Sequence, residues 1–155
     1  MKRRNAIQVI LSLLVSLSLL TGCSGSPEGV AKSFIRALTS GNANKTLDYV
    51  CPKGIATVIA IDLDWNDDYY EVISQDATSA QVRVTGRVQI TAKNLQQFAL
   101  EMGVELPRAE AGLQVGVDFD GLMLSKYRQG WCVEKESLSN LLNYLLQLFE
   151  EELSK

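Results

Sequence analysis

Apolar residues recur along this chain with two spacings, one typical of helices and one typical of strands. Val30, Phe34 and Leu38 follow one another at four-residue spacing, which predicts an amphipathic helix. Ser26-Pro27 is a favourable helix start and Gly41 a favourable helix end. We therefore expect the first helix between these residues.

A second, shorter helix is predicted from Asn42 to Val50, where Pro52 would stop it. Residues 53–66 fit either one more helical turn or an alternating strand. Asn66-Asp67-Asp68 is typical of a turn.

Strand-type alternation dominates the middle of the chain. Residues 69–74 predict one strand, and 82–90 predict a longer one with one polar face. Residues 113–127 predict a long strand that bends at Gly121, and 131–135 pair back on it as a hairpin.

Two further segments complete the predicted domain. Residues 93–112 form an insert with a short helix that Gly103 closes, and Ser137 is predicted to cap a final helix with a wide apolar face. The order predicts an α+β fold, in which N-terminal helices pack on a curved antiparallel sheet and a C-terminal helix follows.

The N-terminal segment has the parts of an export signal. Lys2-Arg3-Arg4 precedes an apolar run, Val9 to Leu20, and the run ends in Leu20-Thr21-Gly22-Cys23. These four residues resemble the lipobox of bacterial lipoproteins. The resemblance implies cleavage after residue 22 and attachment of a diacylglyceryl group to Cys23. The expected organisation is a signal peptide at 1–22, a lipidated tether at 23–26 and one domain at 27–155.

The alternatives for this segment are an uncleaved membrane-spanning helix and an ordinary signal peptide. The apolar run is twelve residues long and contains three serines, whereas a spanning helix needs about 20 apolar residues. The lipoprotein interpretation places the protein outside the cytoplasm on the bacterial cell membrane. In a diderm host it indicates the outer membrane, because Ser24 replaces the Asp linked to inner-membrane retention.

Composition excludes several kinds of partner and site. Without the three basic residues of the signal, 12 Lys and Arg face 18 Asp and Glu, so the net charge is near −6. Nucleic acid is therefore not an expected partner. The chain contains no His, so it lacks the commonest general base and zinc ligand. We predict no metal, no cofactor and no catalytic residue.

Cys51 and Cys132 remain as a pair once Cys23 is assigned to lipid. An oxidising compartment allows a disulfide between them. Two separate buried thiols are the alternative. If Trp131 faces the core, Cys132 faces the opposite side of its strand, and Cys51 must reach that side.

Three segments of the domain are similar to nuclear transport factor 2-like domains. They are the helical pair at 26–52 and the strand regions at 80–88 and 124–133. The resemblance implies a cone-shaped α+β fold that offers a pocket. The 93–112 insert and the full C-terminal helix depart from that pattern, and either would fill or cover the pocket.

Two groups of residues are candidates for chemistry. Trp65, Tyr69, Tyr70 and Trp131 would line a ligand pocket, or serve as ordinary core aromatics. Asp118 and Asp120 share one strand face and would need burial and a raised pKa to act as a carboxylate pair. Solvated charges are the alternative for this pair.

The sequence therefore predicts a membrane-anchored lipoprotein whose domain is a non-catalytic binding or interaction module. Its expected partners are membrane lipid through Cys23 and a second copy or another envelope protein. One alternative is an isomerase or hydratase-like enzyme of the same fold. Another is a structural envelope component that docks through the last helix.

Overall fold

A computed structural model of the chain describes residues 25–51, 61–107, 110–128 and 130–155. Within these ranges, four helices and five strands follow one another. In chain order they are α1 (Pro27–Thr39), α2 (Ala43–Leu47), β1 (Val50–Cys51), β2 (Asp64–Gln75), β3 (Ser79–Ile90), α3 (Ala92–Glu101), β4 (Leu113–Tyr127), β5 (Gly130–Glu134) and α4 (Lys135–Leu153).

Helix α1 forms as its sequence predicts. The Ser26 side chain accepts a hydrogen bond from the backbone N–H of Gly29 at 3.2 Å, and Pro27 occupies the first helical turn. Phe34 and Leu38 are buried in the core, on the stripe that the four-residue spacing marks.

The five strands form one open, mixed sheet in the order β1-β5-β4-β3-β2. Neighbouring strands from β2 to β5 are antiparallel, whereas β1 runs parallel to β5. The α+β class is confirmed, but the prediction of a wholly antiparallel sheet is wrong. Val50 and Cys51 pair with Val133 and Glu134 as a strand, and α2 already ends at Leu47.

Extra residues interrupt the strand pairing at three places. Two of them lie in β2, between Asn66 and Tyr69 and between Val72 and Ser74. Asp67 has a φ of 53°, so the predicted turn at 66–68 is instead a bulge within a continuous strand. The third lies in β4 between Phe119 and Leu122, which confirms a local irregularity at Gly121.

Helix α3 contributes to the core of the domain. Leu95, Phe98 and Ala99 of this helix are buried. The Phe98 ring meets Phe149 of α4 edge-on, at 6.0 Å between centroids and 88° between planes. The insert therefore fills space beneath the sheet.

Helix α4 packs its apolar side against its own domain. Leu141, Leu145 and Phe149 are fully buried, and the helix packs chiefly on β4. The interpretation that this helix covers its own sheet is confirmed. It begins at Lys135, so the prediction that Ser137 caps it is wrong.

Candidate functional site

The two cysteines of the domain form a disulfide that joins the edge strand β1 to β5. Their Cα atoms lie 5.7 Å apart. Val50 and Val133, their neighbours in the two strands, are buried in the core. The bond therefore lies on the other side of the sheet, as the alternation around Cys132 requires. The disulfide prediction is confirmed.

Cys23 lies outside the described residues, as do the whole signal segment and Ser24. The part of the tether that is described, Gly25 and Ser26, is exposed and leads directly into α1. Within the described ranges, no helix combines the length and the hydropathy that a membrane span requires.

The four aromatic residues predicted to line a pocket occupy three places in the sheet. Trp65 and Tyr70 pair with the buried residues Val88 and Val84, so they share the helix-covered face of β2. Tyr69 points to the opposite face and is 63% exposed. Trp131 lies on β5, from which β2 is separated by two strands. The structure thus brings together only Trp65 and Tyr70.

Trp65 and Tyr70 each carry a buried polar atom that has no hydrogen-bond partner among the described residues. Burial raises the pKa of the Tyr70 hydroxyl, and the negative charge of Asp68 raises it further. A Cβ added at Gly86 would overlap the Trp65 indole and would lie 2.9 Å from the Asn66 carbonyl oxygen. Glycine is required there because the indole packs directly on the backbone of β3.

Trp131 borders a small groove beside the disulfide. The groove has a volume of about 130 Å³, and Tyr127, Cys51 and Cys132 also line it. The Lys126 ammonium lies 5.7 Å from the Trp131 ring centroid, within cation–π range. A volume of this size is far below that of a pocket for a drug-sized ligand.

Asp118 and Asp120 are both exposed on the polar face of β4. The Arg83 guanidinium donates to both carboxylate oxygens of Asp118, at 2.6 and 2.5 Å. These hydrogen bonds and the positive charge of Arg83 lower the pKa of Asp118. A carboxylate that acts as a general base near neutral pH needs a raised pKa, whereas the pKa of Asp118 is lowered.

The polar face of the sheet carries a second ion pair, between Arg87 of β3 and Asp67 in the β2 bulge. All four charged side chains of the two pairs are substantially exposed. Exposed pairs of this kind contribute about 0–1 kcal/mol to stability. Both arginines of β3 are therefore already neutralised by carboxylates of the domain.

Two polar residues of α4 protect the edge of β4: Tyr144, which the sequence did not single out, and Ser137, which was predicted only as a helix cap. The Tyr144 hydroxyl accepts from the Asp118 backbone N–H at 3.1 Å and donates to the Asp118 carbonyl at 3.0 Å. The Ser137 hydroxyl likewise accepts from Met123 N–H at 2.6 Å and donates to the Gly121 carbonyl at 2.8 Å. The only sequence signal was a polar residue at an apolar helix position, which is typical of buried hydrogen bonding.

The described residues include no cluster of three or more Cys, Asp or Glu side chains that would hold a metal ion. Comparison of the chain with protein-family models, with curated proteins and with solved structures found no match.

Proposed function

We propose that this chain is an exported bacterial lipoprotein whose domain is a protein-interaction module held at the membrane by lipid on Cys23. The observation that carries the proposal is the sequence Leu20-Thr21-Gly22-Cys23 at the end of a short apolar run. A diacylglyceryl cysteine supplies two acyl chains, and about two chains are needed for stable anchoring.

The disulfide supports export. Structural disulfides persist in oxidising compartments and are rare in the cytosol. The bond between Cys51 and Cys132 links parts of the chain that are 81 residues apart, so it fastens the N-terminal segment of the domain to its C-terminal hairpin.

The filled core favours a role in binding another protein over a role in binding a small ligand. Phe98 of the 93–112 insert and Phe149 of α4 are buried and in contact with each other. This contact supports the expectation that the insert or the last helix fills the pocket that a cone-shaped fold would offer. The enzyme alternative depends on a buried carboxylate, whereas Asp118 is exposed and tied to Arg83. Docking through α4 is also not favoured, because its apolar side is already buried in the domain.

Fractionation of cells that express the full chain tests the anchor. Wild-type protein is expected in the membrane fraction, with an intact mass that lacks residues 1–22 and includes the lipid. Cys23→Ala removes the acceptor sulfur and is expected to abolish lipidation and cleavage after residue 22. Ser24→Ala changes the adjacent residue and serves as the matched control, with attachment retained.

Wild-type protein that keeps residues 1–22, or that begins with an unmodified thiol, would contradict the proposal. Unchanged membrane attachment and mass in the Cys23→Ala variant would contradict it as well.

A further inference from the structure

The outer edge of β4 is paired along only part of its length. Residues 124–127 pair with β5. Before them, the hydroxyls of Ser137 and Tyr144 bond the backbone of Gly121, Met123 and Asp118. Side chains of α4 thus replace a neighbouring strand as far back as residue 118.

In the part of the chain that the structure describes, no strand pairs with the outer edge of the remaining stretch, residues 113–117. The Asp118 N–H and C=O point away from β3, because Tyr144 bonds both of them. Since these groups alternate in direction along a strand, those of Gly116 and Gln114 point the same way. Among the described residues, neither makes a side-chain hydrogen bond or a backbone bond outside the sheet.

This edge is also accessible. Gln114 and Gly116 are both exposed, and a Cβ added at Gly116 would meet no atom within 4 Å. These two exposed residues carry the outward N–H and C=O groups, so a second strand has room to approach them.

The opposite edge of the sheet carries the features that prevent strand pairing. β2 is interrupted by two bulges and presents the acidic side chains Asp64, Asp67 and Glu71. Bulges and charges on an edge strand are known devices against pairing with other chains. Residues 113–117 have neither a charge nor a bulge.

We propose that residues 113–117 pair antiparallel with the same residues of a second copy, about a two-fold axis at Val115. Gln114 then lies opposite Gly116 of the partner subunit, and Gly116 lies opposite Gln114 of the partner subunit. Each of these two pairs exchanges both backbone hydrogen bonds. The paired sheets form one continuous sheet across the dimer.

The register about Val115 is selected by the residues that follow. It leaves the Tyr144 hydroxyl on Asp118 undisturbed, since the paired stretch ends at Val117. An axis at Gly116 would bring Gln114 opposite Asp118 of the partner subunit, and that pairing would have to displace Tyr144 from its backbone bonds. The symmetric contact about Val115 is self-complementary, as a two-fold interface must be.

The composition of residues 113–117 suits a second copy as the occupant. These residues carry no charge, so the register about Val115 places no like charges opposite each other within the paired stretch. Five residues form a small interface, and the proposed lipid anchor would raise the effective concentration of copies in the membrane. This last point rests on the proposed function, but the edge geometry does not.

Cysteine cross-linking in membranes from cells that express the full chain tests the register. Gln114→Cys and Gly116→Cys are co-expressed as two separately tagged chains. Opposed Cα atoms of a hydrogen-bonded pair lie about 5.5 Å apart, within disulfide reach. We expect a mixed disulfide dimer, with the 114–116 linkage identified by peptide mass.

Ser74→Cys co-expressed with Gly116→Cys measures random collision, because Ser74 is exposed on β2 at the opposite edge. Gly116→Cys alone is expected to cross-link at that background level, since diagonal positions lie about 7–8 Å apart. Cross-linking of the 114–116 pair at the background level would overturn the proposal. Efficient cross-linking of Gly116→Cys alone would overturn its register.

A second measurement does not depend on added cysteines. Gln114→Lys places like charges near the two-fold axis, and it is expected to lower the dimer fraction at least several-fold in native mass spectrometry of the purified full chain. Gln75→Lys makes the same change at an exposed position on β2, at the opposite edge of the sheet, and is expected to leave the fraction unchanged. Equal dimer fractions in the two variants would contradict the proposal.

The experiments can refute the lipid anchor and the edge pairing independently of each other. If wild-type protein is not lipidated but the Gln114→Lys effect persists in concentrated protein, the anchor is wrong and the pairing stands. If the protein is lipidated and neither assay detects the pairing, the pairing is wrong and the anchor stands.

Discussion

Removal of the disulfide is expected to destabilise the domain strongly. The bond closes a loop of about 82 residues, since its cysteines are 81 positions apart. The chain-entropy description assigns a loop of that length roughly 4–5 kcal/mol, through restriction of the unfolded chain. We therefore expect the double variant Cys51→Ala/Cys132→Ala to lose about 4 kcal/mol of unfolding free energy, within the usual range of 2–5 kcal/mol.

The folded structure around β1 also indicates that removal of the disulfide is destabilising. β1 has only two residues in the sheet, and its pairing is extended by one bond from Val133 N–H to the Tyr49 carbonyl at 2.7 Å. Without the covalent link, so short an edge strand has little to hold it against β5. Strand β1 and the preceding α2 are expected to fray first.

Urea unfolding of the chain from Ser24 onward, followed by the fluorescence of Trp65 and Trp131, measures this loss. The dependence of the free energy on urea is expected to steepen in the variant, because its unfolded state is less compact. Wild-type protein measured in reductant is the control, and its unfolding transition should match that of the variant. The transition of the variant should be the same with and without reductant. A loss below about 1 kcal/mol would refute the reasoning, since removal of a native disulfide typically costs 2–5 kcal/mol.

Three further changes test the core and the turn chemistry. Phe98→Ala removes a buried ring that packs on Phe149 and should cost about 3–5 kcal/mol in urea unfolding; a cost below 1 kcal/mol would mean that α3 is not part of the core. Gly86→Ala should cost about 1–3 kcal/mol through overlap with Trp65, seen as a lowered melting temperature; a stabilised variant would contradict this packing. Asp76 accepts backbone hydrogen bonds from Thr78 and Ser79, which lower its pKa to about 2 from 3.8. The stability that the Asp76 carboxylate contributes is therefore present above pH 3.8 and lost as the pH falls towards 2. Asp76→Asn should reduce the pH dependence of the melting temperature in that window. An unchanged dependence would contradict the assignment of these hydrogen bonds as its cause.

The elements that the sequence predicts best are those whose pattern is local. β4 begins at Leu113 and ends at Tyr127, as the alternation predicts, because buried and solvated positions alternate on both sides of the irregularity at Gly121. α1 is equally local, since a serine cap and an apolar stripe define it.

The elements that the sequence did not predict depend on distant partners. Val50 and Cys51 form a strand because β5 and Cys132 lie beside them, and no nearby residue signals that. Asp67 suits either a turn or a bulge, since Asp tolerates positive φ in both, and the pairing of β2 with β3 selects the bulge.

The candidate site was predicted only in part. The disulfide follows from the number of cysteines and the inferred compartment, and the structure confirms it. The open edge at 113–117 could not be predicted, because it depends on where β5 ends and on which α4 side chains reach β4. The alternation of β4 shows which face is buried, but it does not show which edge has a partner.

The hydroxyls of Ser137 and Tyr144 also limit how this domain can vary. Because α4 lies where further residues of β5 would pair with β4, an insertion that lengthens β5 would have to push the helix off the sheet. Length changes between β4 and α4 should therefore be tolerated only in the hairpin loop itself. A library of random insertions selected for folded protein would show a gap from Trp131 to Tyr144.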